Sequence, residues 1–165
     1  MGLELIGLSD LGWIITEWIN LNFREEGMNW KRFLTASLAV FVVIQAIDYI
    51  MDTIVLNKDY ESLQTFWRED TVSRIWLAYV MALLISFLFT YIFVKGREGK
   101  GIPEGVRFGI VIWLFAIVPL YHTLWVFVSI PYALIFRWTL FGLLQTLVAG
   151  IIVAAIYRPI VPSKA

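Results

Sequence analysis

The sequence predicts an all-α membrane protein: a four-transmembrane-helix antiparallel bundle with an N-terminal interfacial amphipathic helix. Composition is the first ground for this. Hydrophobic residues make up 60% of the 165 and charged residues 16%, with mean hydropathy +0.78, whereas a soluble domain carries about 25% charged and under about 50% apolar residues. A chain of this length cannot hide that much apolar surface in one aqueous core, so lipid must cover the rest. The second ground is four long apolar stretches separated by polar, glycine- or proline-bearing connections. The third is an uneven division of Lys and Arg between the two sides those stretches define.

Residues 1–27 form the expected interfacial segment. Leu8, Leu11, Ile15, Trp18 and Ile19 share one side at helical spacing, and Asp10, Glu17, Asn20 and Arg24 share the other. Ser9 suits the N-cap. The segment is too polar to span, so it lies in the headgroup region or on a partner subunit. Its acidic opening, MGLELIGLSD, is unlike a secretory signal. Met28-Asn29-Trp30-Lys31-Arg32 before a long apolar run also reads as a second start, which leaves two origins open for residues 1–27.

The transmembrane domain is expected over residues 28–159, with a tail at 160–165. Its first span covers about 33–56, enough at 1.5 Å per residue to cross a hydrocarbon core of about 30 Å. A polar loop at 57–73 comes next, then a second span at about 74–94 that stops at Lys95-Gly96. Pro103 and Glu104 open the next helix, where proline is tolerated and a carboxylate meets the positive dipole end. Its span is about 107–129. Pro131 marks a tight turn into the fourth span, about 133–157, which Arg158-Pro159 ends.

Four spans put the N-terminus, the second connection and the C-terminus on one side. That side holds Arg24, Lys31, Arg32, Lys95, Arg97, Lys100, Arg107, Arg158 and Lys164; the other holds Lys58, Arg68, Arg74 and Arg137. The bias places both termini in the cytoplasm and the chain in the inner (plasma) membrane.

Several function classes lose support. Net charge is zero, so no overall field recruits nucleic acid. Without cysteine there is no disulfide, thiolate nucleophile or Cys-based metal site, and a lone His122 builds no multi-histidine centre. No nucleophile motif points to an enzyme, and whether a cofactor is bound is not legible in the sequence. Gly96, Gly99 and Gly101 succeed no strand and lead into no Gly-Lys-Ser/Thr run, so they read as turn residues rather than a phosphate loop.

The run from Lys95 through Gly109 (KGREGKGIPEGVRFG), with Tyr157-Arg158-Pro159 closing the last helix, resembles a group of small, uncharacterised bacterial four-helix membrane proteins. The likeness covers about 28–159. It implies architecture and a bacterial origin, and no activity.

Polar groups at membrane depth carry the functional expectation. Gln45, Asp48 and Asp52 are spaced i, i+3, i+7 on one helical face. Counting helical rise suggests three matches in depth: Asp48 with His122, Asp52 with Arg137, and Gln45 with Gln145. Burying charge there is expensive, at least about 2.5 kcal/mol per group. The cluster therefore reads either as interhelical glue or as an outward-opening cavity that binds a ligand or moves protons, with Asp48 and His122 titrating. Pro119 removes an amide and strands the Phe115 carbonyl, bending the helix beside Tyr121 and His122.

Two stripes of small residues recur every four positions: Ala78, Ala82, Ser86 and Thr90 in the second span, and Gly142, Thr146, Gly150 and Ala154 in the fourth. They predict close helix approach, either between these two spans or with another copy or subunit. Lys95, Arg97 and Lys100 suit anionic inner-leaflet lipid, and Glu98 and Glu104 flank them as weak partners. Trp30, Trp67, Trp76 and Trp138 fall at span ends as an aromatic belt, whereas Trp113 and Trp125 lie within the third span. Beyond the lipid bilayer, the expected partners are other membrane subunits or a second copy. Two functions remain in view: a non-catalytic accessory or assembly subunit, or a small ligand-binding or proton-coupled permeation protein built around Asp48 and His122.

Overall fold

A computed structural model describes residues 28–61 and 70–157; the amphipathic segment, Trp67, Arg68 and the tail lie outside them. The described chain is helical and contains four helices long and apolar enough to cross a membrane: Trp30–Val55, Thr71–Gly96, Ile102–Phe127 and Tyr132–Ile156. Each is about 38 Å long at 1.5 Å per residue, so each exceeds the hydrocarbon core.

The first span consists of α1 (Trp30–Ile50) and a π-helical turn (Met51–Val55), and the short α2 (Asn57–Glu61) comes after it. It starts earlier than hydropathy suggests because Asn29 caps it, its side chain accepting from the Arg32 amide at 3.1 Å. The second span is α3 (Thr71–Gly96). It too starts early, where Asp70 accepts from Arg74 Nε at 2.6 Å and its carbonyl accepts from Ser73 Oγ; a carboxylate at this end also suits the helix dipole. The third span is α4 (Ile102–Ile112), a second π-turn (Trp113–Ile117) and α5 (Val118–Phe127); the fourth is α6 (Tyr132–Ile156). Gly101 precedes α4 with φ +74°, a left-handed value that disfavours any residue with a Cβ.

The third and fourth spans make the tightest seam. A Cβ built on Gly105 would overlap the Gly150 carbonyl oxygen, and one on Gly109 would overlap that of Thr146; near the other end Gly142 faces Ile117. Numbers fall along one helix as they rise along the other. The sequence left the stripe's partner open between the second span and another copy or subunit; Gly142, Thr146, Gly150 and Ala154 are instead buried against the third span. The stripe found its complement in Gly105-x-x-x-Gly109, two positions where backbone meets backbone. Ser86 and Thr90 of the second-span stripe are buried, Ala82 is half-buried and Ala78 is exposed. Their hydroxyls bond carbonyls of their own helix, Ser86 to Ala82 at 2.8 Å and Thr90 to Ser86 at 2.9 Å, so they permit close packing without tying helices together.

One core gathers all four spans at the end that carries the second connection. It joins Phe33, Ala36 and Val40, Phe89 and Phe93, Ala149, Val153 and Ala154, with Phe108 packed against it. Phe108 meets Phe89 and Phe93 edge-on, with ring centroids 4.8 and 5.4 Å apart, the arrangement aromatic quadrupoles favour. Away from this core the second span separates from the others: every residue from 71 to 81 is exposed. A second, smaller cluster around Leu56 and Leu134 joins the end of the first span and α2 to the last connection and the start of the fourth span.

Candidate functional site

A polar cavity adjoins the Leu56–Leu134 cluster and shares Leu56, Tyr60, Trp138 and Phe141 with it. The Leu56 amide bonds the Met51 carbonyl five residues back at 2.8 Å, closing the first π-turn, and the Tyr60 amide then bonds Leu56 at 3.0 Å. This turns α2 back over the start of α6, where Leu56 is 1% exposed and packs with Tyr60, Ile130, Trp138 and Phe141. The second π-turn sits opposite: the Val118 amide bonds the Trp113 carbonyl, also five residues back. A wide turn here absorbs the disruption from Pro119, which has no amide to give. Trp113 Nε1 donates across to the Thr139 carbonyl at 2.8 Å and fixes the third span against the fourth.

These elements border an open-sided cavity of about 300 Å³. The first span contributes Asp48, Met51 and Asp52; the third contributes Tyr121; the fourth contributes Trp138, Phe141, Gly142 and Gln145; Leu56 and Tyr60 complete the lining. Gln145 Nε2 donates to Asp48 Oδ1, joining the fourth span to the first. Trp138 Nε1 donates to Tyr60 Oη at 3.1 Å, and Tyr60 donates in turn to Asp52 Oδ1 at 2.8 Å. Such a chain orients each member through the next. Burial pushes the Tyr60 phenol above its ordinary pKa, and its bond to Asp52 adds to the shift. Tyr121 packs beside Trp138, with ring centroids 5.6 Å apart.

The expected residues converge only in part. Asp48, Asp52 and Gln145 share the cavity; Gln45, His122 and Arg137 are not in its lining. All three expected pairings are replaced. His122 Nδ1 lies 2.9 Å from the Val118 carbonyl of its own helix, with its ring against Tyr132, and Asp48 takes Gln145 in its place. Arg137 pairs with Asp59, and Asp52 takes Tyr60. Gln45, which was matched to Gln145, is half-buried elsewhere on α1. Depth counted along an ideal helix does not fix facing, and for His122 the π-turn at Trp113–Ile117 adds a residue that rotates the downstream helix by about 100°. Asp59 and Tyr60 were missed because residues 57–73 read as loop; the signal available was the aromatic–polar alternation of Asp59-Tyr60 close behind the apolar run.

At the opposite end, the second connection is organised by its acids. Glu104, buried in the first turn of α4, accepts from the Glu98 amide and from the Lys100 amide, the latter at 2.8 Å. It therefore caps the loop rather than pairing with cations as expected. Glu98 holds Lys100 and also Arg107, the latter at 2.6 Å, and these two cations keep its carboxyl below the usual carboxylate range. Arg97 donates to the Tyr157 carbonyl at 3.1 Å and lies over the Tyr157 ring, while Lys95 lies over Tyr91. Of the three cations expected to meet lipid, each has a protein contact as well.

Comparison with family models, with curated proteins and with solved structures gives no match.

Proposed function

We propose that this is a small ligand-binding protein of the bacterial inner membrane, a four-helix antiparallel bundle with both termini cytoplasmic, whose site is the cavity beside Asp48, Asp52 and Gln145. One observation carries the reading: three spans leave about 300 Å³ between them and direct polar side chains to its walls. Helices held together for cohesion alone close to the density of a crystal. Polar glue accounts for the Gln145–Asp48 bond and for the Asp52–Tyr60–Trp138 chain, both of which join the first span's end of the chain to the fourth span, but not for the space left between them. The volume lies at the small end of the range for ligand sites, about 300–1,000 Å³. Two π-turns flank the cavity, a departure from regular helix that recurs at functional sites. His122 takes no part in this reading, so a titrating Asp48–His122 pair is not retained. The Lys and Arg distribution, nine against four across the sequence, supports cavity access from outside the cell.

The chain lacks cysteine, which makes a single introduced thiol informative. Met51→Cys, in the cavity wall, is expected to react with a membrane-impermeant thiol reagent added outside intact cells. Phe115→Cys, at 80% exposure on the third span, is expected to stay unlabelled because lipid surrounds it. Equal silence at both positions sinks the proposal.

A second reading, an accessory or assembly subunit, is favoured by the second span. Its exposed stretch at residues 71–81 includes Val72, Trp76 and Tyr79, a surface wide enough for another helix. Cross-linking from Ala78→Cys in native membranes tests it. A product containing a second polypeptide supports this reading, and monomer alone counts against it.

A further inference from the structure

We infer that the cavity selects small organic cations bearing an apolar group, such as aryl-alkyl ammonium compounds. This rests on the proposed ligand-binding role and gives it a chemical class. Charge is the first ground. Asp48 and Asp52 both line the space, while among the described residues no Lys, Arg or His does. The nearest arginine in sequence to the lining, Arg137, is engaged by Asp59 at the edge of α2. An anion would meet two carboxylates in a medium that screens poorly.

Hydrogen-bonding balance is the second ground. Tyr60 Oη, Trp138 Nε1 and one N–H of Gln145 are spent on acceptors of the lining itself, which leaves the Tyr121 hydroxyl and the second Gln145 N–H as donors against two carboxylates. The walls offer a surplus of negative charge and acceptor oxygen, a poor match for a neutral polyol that needs donors and acceptors alike. The third ground is the aromatic surface. Tyr60, Tyr121 and Trp138 stand beside the two carboxylates, with ring centroids 6.4 Å apart for Tyr60–Trp138 and 5.6 Å for Tyr121–Trp138. Electron-rich ring faces attract weakly hydrated organic cations. A hard metal ion instead wants six or more oxygens, and no group of three or more His, Cys, Asp or Glu side chains that would hold one occurs among the described residues.

The test uses the full chain carrying Met51→Cys in lipid nanodiscs, tracking its modification by neutral methyl methanethiosulfonate. Three soluble probes of similar size are compared: benzyltrimethylammonium, neutral N,N-dimethylbenzamide and anionic phenylacetate. Benzyltrimethylammonium is expected to slow the reaction saturably, with the other two at least about tenfold weaker, the ratio that one retained charge contact supplies. Adding Asp52→Asn or Asp48→Asn to Met51→Cys is expected to weaken protection by about tenfold, read for each variant as the ratio of its own labelling rates with and without the probe. Protection by the benzamide or by phenylacetate equal to that by the cation overturns the cation class and leaves a ligand cavity standing. A thiol that reacts freely but is protected by no probe also overturns the class. A thiol at position 51 that does not react at all overturns the underlying cavity reading. Because the probe comparison on Met51→Cys alone decides the matter, a failure of either Asn variant to fold does not rescue the inference.

Discussion

Replacing Gly105 by alanine is predicted to wedge the third and fourth spans apart. A Cβ at this position would overlap the Gly150 carbonyl oxygen and come within 2.7 Å of both the Gly150 carbonyl carbon and Ala154 Cβ. Ordinary van der Waals contact needs about 3.5 Å or more. The obstacle is backbone, which cannot rotate aside as a long side chain would, so the helices must separate by roughly 1 Å over the seam. Overpacking of this kind costs about 1–3 kcal/mol. Alanine returns up to about 1 kcal/mol through its better helix propensity, leaving a net loss of about 0–2 kcal/mol. Gly96, the last residue of the second span's helix, calibrates that offset: a Cβ there meets nothing within 4 Å, so Gly96→Ala is expected to be neutral or slightly stabilising. Reversible unfolding in mixed micelles, with denaturing detergent as the variable, measures both. If Gly105→Ala is as stable as Gly96→Ala, the close approach of these two spans is refuted. Gly105→Ala and Gly150→Ala share one contact, so their losses are expected to add up to more than the double variant shows.

Asp48→Asn and Gln145→Leu, combined in a double-mutant cycle, should give a coupling of about 0.5–2 kcal/mol, the range for polar contacts between membrane helices; zero coupling would remove the bond between the first and fourth spans. Glu98 supplies a pH dependence. Its folded pKa is depressed by Lys100 and Arg107, so its contribution is fully present above its ordinary value of 4.5 and is lost as pH falls through the lower folded value. Thermal midpoints recorded from neutral to acid pH should fall less steeply in Glu98→Gln and should depend on salt, since the carboxylate is exposed. Tyr60 has the opposite sign. Its folded pKa is raised, so its contribution holds below the ordinary value of 10.0 and is lost progressively above it. Tyr60→Phe should remove that alkaline sensitivity, and an unchanged alkaline profile would count against the bond to Asp52.

How far the sequence disclosed this architecture depends on which physical signal carried each part. Span positions were legible to within a few residues, because the free energy of keeping Leu, Ile, Val and Phe from water accumulates over twenty positions and tolerates local error. Facing was not. A pairing such as Asp48 with His122 depends on rotation about the helix axis, and the turns at Met51–Val55 and Trp113–Ile117 alter that rotation without changing hydropathy. Pro119 pointed to a disturbance in the third span; nothing comparable announced the one in the first. The seam was half legible. The fourth-span stripe stood out, but its complement at Gly105 and Gly109 sits inside a run that draws the eye as a glycine-rich loop. Asp52 found Tyr60 rather than Arg137 because a five-residue helix formed where polarity alone suggested loop, and short helices held by tertiary contacts leave little periodic signal.

Neighbouring positions on the fourth span provide the most direct test. Leu140 is 46% exposed on the outside of the bundle, whereas Phe141 lines the cavity, and the two differ in depth by only about 1.5 Å. Nitroxide labels placed singly at 140 and 141 in nanodiscs would report collisions with lipid-soluble oxygen and with a water-soluble nickel complex. The label at 140 is predicted to collide mainly with oxygen and the label at 141 mainly with nickel. Oxygen-dominated collisions at both sites would contradict a water-accessible space between the spans.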